Sequence, residues 1–207
     1  MNLKPNQLQQ NGYVLLDSLE HKALIPFIQI YLKKKTFAVI FYWAANMLIF
    51  LIILLRLYQF YQPEKFKFGD VIGHLSYGFA LAFCLIPIHE YIHVLAYKSQ
   101  GAKTTSYDVN LKKFYFMAIA DKFVANRKEF TVVALAPFVL ISFAFLIVFL
   151  CVEPLWTFTI LGILFTHTAC CSGDFGLLSY FEFYKHKKIV TYDDKENGIS
   201  YFYELPE

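Results

Sequence analysis

Charge is missing from this sequence over its two longest apolar runs. Residues 36–55 and 130–152 hold no Asp, Glu, Lys or Arg, and across all 207 residues only 17% are charged while 57% are hydrophobic. That balance excludes an ordinary soluble domain and a disordered chain, and it is the composition of a membrane protein. Each run is long enough, as a helix, to cross a hydrocarbon core of roughly 30 Å. Cysteine is scarce as well: Cys84, Cys151, Cys170 and Cys171 form no Cys-x-x-Cys pair and lie in or beside apolar runs. They read as small packing residues and not as a disulfide framework. Internal repeats and low-complexity tracts are absent. The first 35 residues, which include Pro5, Asn11, Gly12 and Asp17, contain no cleavable signal, so the first span is expected to be retained.

Two further segments, 71–97 and 155–181, are apolar but interrupted by polar residues. The expected fold is therefore an all-α polytopic membrane protein of about four transmembrane helices, with a small cytoplasmic β-containing loop and tail. Three parts follow: an N-terminal segment 1–35, a membrane-embedded domain 36–181 and a tail 182–207. Lysine placement sets the orientation. Lys33, Lys34 and Lys35 precede the first span, and the connection 98–129 holds Lys98, Lys103, Lys112, Lys113, Lys122, Arg127 and Lys128. The tail adds Lys185, Lys187 and Lys188, whereas the other two connections carry Arg56, Lys65 and Lys67 or no basic residue. Both termini and the long connection are expected in the cytoplasm. The formal net charge of +3 thus reports topology and gives no reason to expect nucleic acid.

Ionisable side chains inside a span cost several kcal/mol unless they are paired or functional. The stretch "IPIHEYIHVLAY", residues 86–97, holds three of them. His89 and His93 are four apart and so share a helix face, with Cβ atoms about 5–6 Å apart, close enough to bind one metal ion. Glu90 stands where it can reach a metal-activated water without ligating the ion, so His-Glu-x-x-His supplies two imidazole ligands and a general base. A hydrolytic zinc site needs three protein ligands and an open position. Asp174, the only acidic residue between Glu153 and Glu182, is the candidate third ligand. If the two interrupted spans start near 71 and 155, His89 and Asp174 lie ~27 and ~28 Å along their helices, at matching depth near the cytoplasmic side.

"HEYIH", "APF" at 136–138 and "HTACCSGDFG" at 167–176 together resemble a bacterial family of zincin peptidases, which in turn is similar to the site-2 proteases, intramembrane zinc metalloproteases. The resemblance covers roughly residues 70–185. It implies a zincin-like membrane domain in a bacterial cytoplasmic membrane, Zn2+ held by His89, His93 and Asp174, and Glu90 as the base. Site-2 proteases place their aspartate in Leu-Asp-Gly after an Asn and prolines, whereas this chain reads Ser172, Gly173, Asp174, Phe175, Gly176 and has no room for a PDZ module.

His167, seven residues before Asp174 and on nearly the same helical face, is a candidate oxyanion donor in place of the missing Asn, a partner that orients a ligand, or a packed histidine bonded to a neighbouring helix. His74 reads as structural or interfacial, and His21 and His186 as residues of polar flanks. Pro87 predicts a kink at the site. Pro137, among Ala134 and Ala136, predicts close helix packing. "TTSYDVNLKKFYFMAI" predicts one or two strands at the cytoplasmic surface, either a docking edge for an unwound substrate, as the resemblance implies, or a loop without that role. In the tail, Asn197 and Gly198 predict a hairpin turn.

The reading is a zinc metallopeptidase that hydrolyses a peptide bond of a membrane-associated protein or peptide, transmembrane segments included, with the lipid bilayer as its other partner. The competing class is a non-catalytic membrane protein: a metal- or haem-binding bundle using His74, His89, His93 and His167, or a scaffold of the same fold. Haem leaves Glu90 and Asp174 without a role.

Overall fold

The computed structural model describes residues 3–61, 67–110 and 115–206. Lys65, Lys112 and Lys113, used above for orientation, lie outside them. The chain is mostly helical and divides into two compact units, one formed by residues 1–39, 90–137 and 173–207, the other by 40–89 and 138–172.

The charge-free runs become α2 (Phe37–Tyr61) and α5 (Arg127–Cys151), each long and apolar enough to cross a membrane. The interrupted segments become two broken pairs. One is α3 (Phe68–Cys84) and α4 (Ile86–Ser99), the other α6 (Trp156–Cys170) and α7 (Ser172–Phe183), and each pair passes the same length and composition test as a single broken span. The chain thus has two to four candidate spans.

The first break falls at Leu85, not at Pro87. Pro87 occupies the first turn of α4, where an N–H has no intrahelical partner to lose, so the expected kink lies two residues earlier. Both long helices are capped by side chains. Asn126 accepts from the N–H groups of Lys128 and Glu129 through Oδ1, while Glu129 accepts from the Asn126 N–H at 2.8 Å, a reciprocal cap for α5. At the start of α2, Glu182 accepts from Phe37 N–H and Ala38 N–H at 2.8 and 2.9 Å, placing a carboxylate at the positive end of the helix.

The first unit holds a four-stranded antiparallel sheet in the order β1-β6-β5-β4 (Val14–Glu20, Ile199–Leu205, Lys188–Asp194 and Ala125–Asn126). β5 and β6 form the expected tail hairpin, with Gly198 at φ +63 in the turn. The sheet is larger than the sequence suggested, because β1 comes from the N-terminal segment and pairs with β6 from Val14 opposite Glu204 to Glu20 opposite Ile199. Leu8, Tyr13, Val124, Val190 and Tyr203 pack together on it. The same unit contains a separate hairpin, β2 (Ser106–Asn110) and β3 (Tyr115–Ile119), in the connection where strands were expected. Helix α1 (Leu24–Tyr31) packs where Gly176 of α7 leaves room: a Cβ there would sit 2.8 Å from Ile28 Cγ2.

The second unit is built on the pairing of α3 with α6. A Cβ on Gly78 would lie 2.2 Å from Thr159 O and 2.9 Å from Gly162 Cα, so the two backbones touch through glycines. His74 joins the same contact: it lies 2.9 Å from Thr159 Oγ1 through Nδ1, and its carbonyl accepts from that hydroxyl at 3.0 Å. The structural role expected for His74 is what it has. Helix α6 is buried from Thr157 to Leu164, whereas α2 and the distal part of α5 expose Trp43, Leu48, Leu51, Leu140, Phe143 and Leu150. An apolar surface of that kind suits lipid and not water.

Candidate metal centre

Helix α4 carries His89, Glu90 and His93 within one helical turn. One ligand atom from each lies within 4.8 Å of the others, and Glu90 and His93 are buried.

His93 is held at both ring nitrogens within the first unit. Nδ1 lies 2.9 Å from Val133 O, and because a carbonyl only accepts, Nδ1 carries the proton. Nε2 faces Asp174 Oδ1 at 3.2 Å. The carbonyl has a specific origin. Val133 stands four residues before Pro137 in α5, so the residue that would normally donate to its oxygen has no N–H to give. Pro137, fully buried, therefore leaves an acceptor inside the helix, and His93 uses it. Small-residue packing was the role expected of Pro137, and this second role was missed. The signal was in the sequence: a proline inside an apolar span frees the carbonyl four positions earlier.

Glu90 is positioned by the β2–β3 hairpin. Its Oε2 accepts from Ala118 N–H of β3 at 2.7 Å. Tyr107 is the partner of Ala118 across the hairpin, and the Ala118 amide bonds Glu90.

Asp174 lies in the first turn of α7, where the helix N-terminus favours a carboxylate. A tetrahedral site with bonds of about 2.0–2.1 Å has ligand atoms about 3.3 Å apart, so an imidazole nitrogen and a carboxylate oxygen at 3.2 Å suit a shared ion. Together with the fixed tautomer of His93, that donor set fits zinc. A carbonyl that orients a ligating imidazole is a usual companion of such sites.

In the second unit, His89 Nδ1 lies 3.3 Å from His167 Nε2, and Cys171 Sγ lies 3.9 Å from the same His167 nitrogen. His167 and Cys171 are both buried, four residues apart at the end of α6. The structure thus places His167 beside His89. Cys84, Cys151 and Cys170 are exposed, while Cys171 stands apart from the four as a buried neighbour of two imidazoles.

His21 departs from expectation outright. It is 3% exposed, with Nδ1 2.9 Å from Asp108 Oδ2 of β2 and Nε2 3.4 Å from Ser200 Oγ of β6. Ser200 Oγ in turn donates to Asp193 Oδ1 at 2.6 Å. A residue of a polar flank became a buried link between the hairpin and the sheet because the pairing of β1 with β6 carries it inward.

The profile of a family described as "Putative zincin peptidase" matches residues 82–189, just over half of the chain and all five candidate site residues. No curated protein and no solved structure matches significantly.

Proposed function

The chain belongs to the "putative zincin peptidase" family, and from that premise we propose that it is an intramembrane zinc peptidase of the site-2 protease type. His89, His93 and Asp174 hold the ion, and Glu90 is the general base. The two broken helix pairs each count as one span, giving four, with both termini and the β2–β3 hairpin on the cytoplasmic side of a bacterial membrane. The substrate is a membrane-associated protein or peptide, docked in extended form along the hairpin.

The observation that carries the reading is the constraint on His93: Nδ1–H is committed to Val133 O, and Nε2 meets Asp174 Oδ1 at 3.2 Å. Zinc, when bound, supplies a Lewis acid that polarises the scissile carbonyl and lowers the pKa of the attacking water. The chain's own groups do the rest. Glu90 accepts the proton of the attacking water and returns it to the leaving amine. Ala118 N–H orients the Glu90 carboxylate through its bond to Oε2. His167 accepts the Nδ1–H of His89 across 3.3 Å and so turns the Nε2 lone pair of His89 toward the ion.

Glu90→Gln removes the base and keeps the size and ligands of the site. In cells producing this variant, a membrane protein cleaved by the wild type should accumulate uncleaved, read by quantitative N-terminal proteomics, while bound zinc is unchanged. Identical cleavage profiles for the two proteins would contradict the proposal and favour a non-catalytic scaffold.

A further inference from the structure

The zinc reading uses His89 through one nitrogen and leaves the cluster on its other side with only an orienting role. That cluster lies wholly within the second unit. His89, His167 and Cys171 each offer a ligand atom, all within 4.8 Å of one another. The separations are near those of a coordination sphere. A tetrahedral ion bonded to nitrogen at about 2.05 Å and sulfur at about 2.3 Å has N-to-N edges near 3.3 Å and N-to-S edges near 3.6 Å. The observed values are 3.3 Å for His89 Nδ1 to His167 Nε2 and 3.9 Å for His167 Nε2 to Cys171 Sγ.

Local structure prepares this set. His167 and Cys171 are spaced i and i+4, so their side chains rise on one helix face. Cys171 closes α6, with its N–H donating to His167 O at 3.1 Å, a bond that holds the two residues' backbones one helical turn apart. Two of the three ligands are shielded from water, Cys171 being 0% exposed and His167 4%, while His89 is half-buried. Two imidazoles and a thiolate form a soft donor set, unlike the imidazole and carboxylate set of the hydrolytic site, and they select thiophilic ions.

We propose that His89 Nδ1, His167 Nε2 and Cys171 Sγ form a second metal position that takes a thiophilic d10 cation, zinc(II) or copper(I). Binding displaces the Cys171 thiol proton to solvent. The single ring proton of His89 moves from Nδ1 to Nε2 when the hydrolytic set is empty, and leaves to solvent as well when Nε2 is already bound there, the ring then bridging the two positions as an imidazolate. When the position is empty, the same atoms make the His89 to His167 hydrogen bond, so its occupancy decides whether His167 orients His89 as an acceptor or through a shared ion. The proposal does not rest on peptidase activity, because none of its other ligands belongs to the hydrolytic set.

The test uses cobalt(II) as a spectroscopic substitute in the full chain purified in detergent. A thiolate ligand adds an intense near-ultraviolet thiolate-to-cobalt charge-transfer band, which nitrogen and oxygen ligands do not give. The band should appear in the wild type, persist in Asp174→Ala and His93→Ala, and disappear in Cys171→Ser and His167→Ala. Cys171→Ala, checked with Cys171→Ser for helical content, guards against a folding defect in one variant. Visible cobalt bands abolished by Asp174→Ala, with no thiolate band in any protein, would overturn this position and leave the peptidase reading standing. A thiolate band accompanied only by visible bands that are indifferent to Asp174→Ala and His93→Ala would support this position and refute the hydrolytic site. A band that survives Cys171→Ser would overturn the proposal by assigning the sulfur to another cysteine.

Discussion

Replacing Pro137 by Ala should make the protein no less stable and yet a poorer zinc binder. Proline inside a helix is about 3 kcal/mol less favourable than alanine. The substitution restores an N–H that can donate to Val133 O along the helix. That N–H competes for the carbonyl which now accepts from His93 Nδ1 at 2.9 Å. A carbonyl has two lone pairs, so the His93 bond is weakened and not abolished, and the helix gain outweighs a loss within the ~1–3 kcal/mol of a buried hydrogen bond. Losing a group that orients a metal ligand costs 10- to 100-fold in affinity. A weakened bond belongs at the lower end, about tenfold, or ~1.4 kcal/mol. The assay is competition for zinc against a chelator of known affinity in detergent, paired with thermal unfolding of the metal-free protein. The expected result is a zinc Kd raised about tenfold with an unfolding midpoint equal to or above that of the wild type. An unchanged Kd would refute the chain from Pro137 through Val133 O to His93.

Two further perturbations test the parts around the site. Gly78→Ala puts a Cβ 2.2 Å from Thr159 O, and because that contact is backbone the α3 and α6 helices must separate. A loss of about 1–3 kcal/mol, or failure to fold, is expected in thermal unfolding, and an unshifted midpoint would contradict the packing described. Asp193, in β5 of the four-stranded sheet, has its carboxyl pKa pushed up by burial, against hydrogen bonds from Ser200 Oγ and Ala120 N–H that favour its charge. Its folded-state pKa lies above the unfolded value, so its contribution to stability is complete at pH below about 4 and is lost as pH rises through the folded pKa. Asp193→Asn should remove that decline, flattening the unfolding midpoint as pH rises above about 4; an unaltered profile would refute the assignment.

How far the sequence disclosed the site depends on whether each signal was local. The charge-free runs of α2 and α5, the His-Glu-x-x-His turn, Asp174 alone in its span and the Asn-Gly turn of the tail were all readable, because each rests on spacing or composition within a few residues. The interior acceptor at Val133 was equally local, since it follows from Pro137 alone, but it acquires meaning only when His93 is brought to it. What could not be read depends on distant pairing. Nothing in the mixed segment 14–20 announces that it will pair with a strand of the C-terminal hairpin, and without that pairing the burial of His21 against Asp108 has no cause. Cys171 illustrates the same limit: four cysteines in apolar runs look alike until α6 and α4 bring one of them to two imidazoles.

The most direct test of the central claim is the number of zinc ions per chain in a Cys171→Ser background, where the thiol-containing position contributes nothing. Mass spectrometry of the purified protein should give about one zinc, as expected for a three-ligand site with an open position. Adding Asp174→Ala or His93→Ala should abolish it while circular dichroism shows the helices intact. Zinc that is absent from the outset, or that remains after Asp174→Ala, would contradict the ligand set on which the peptidase reading depends.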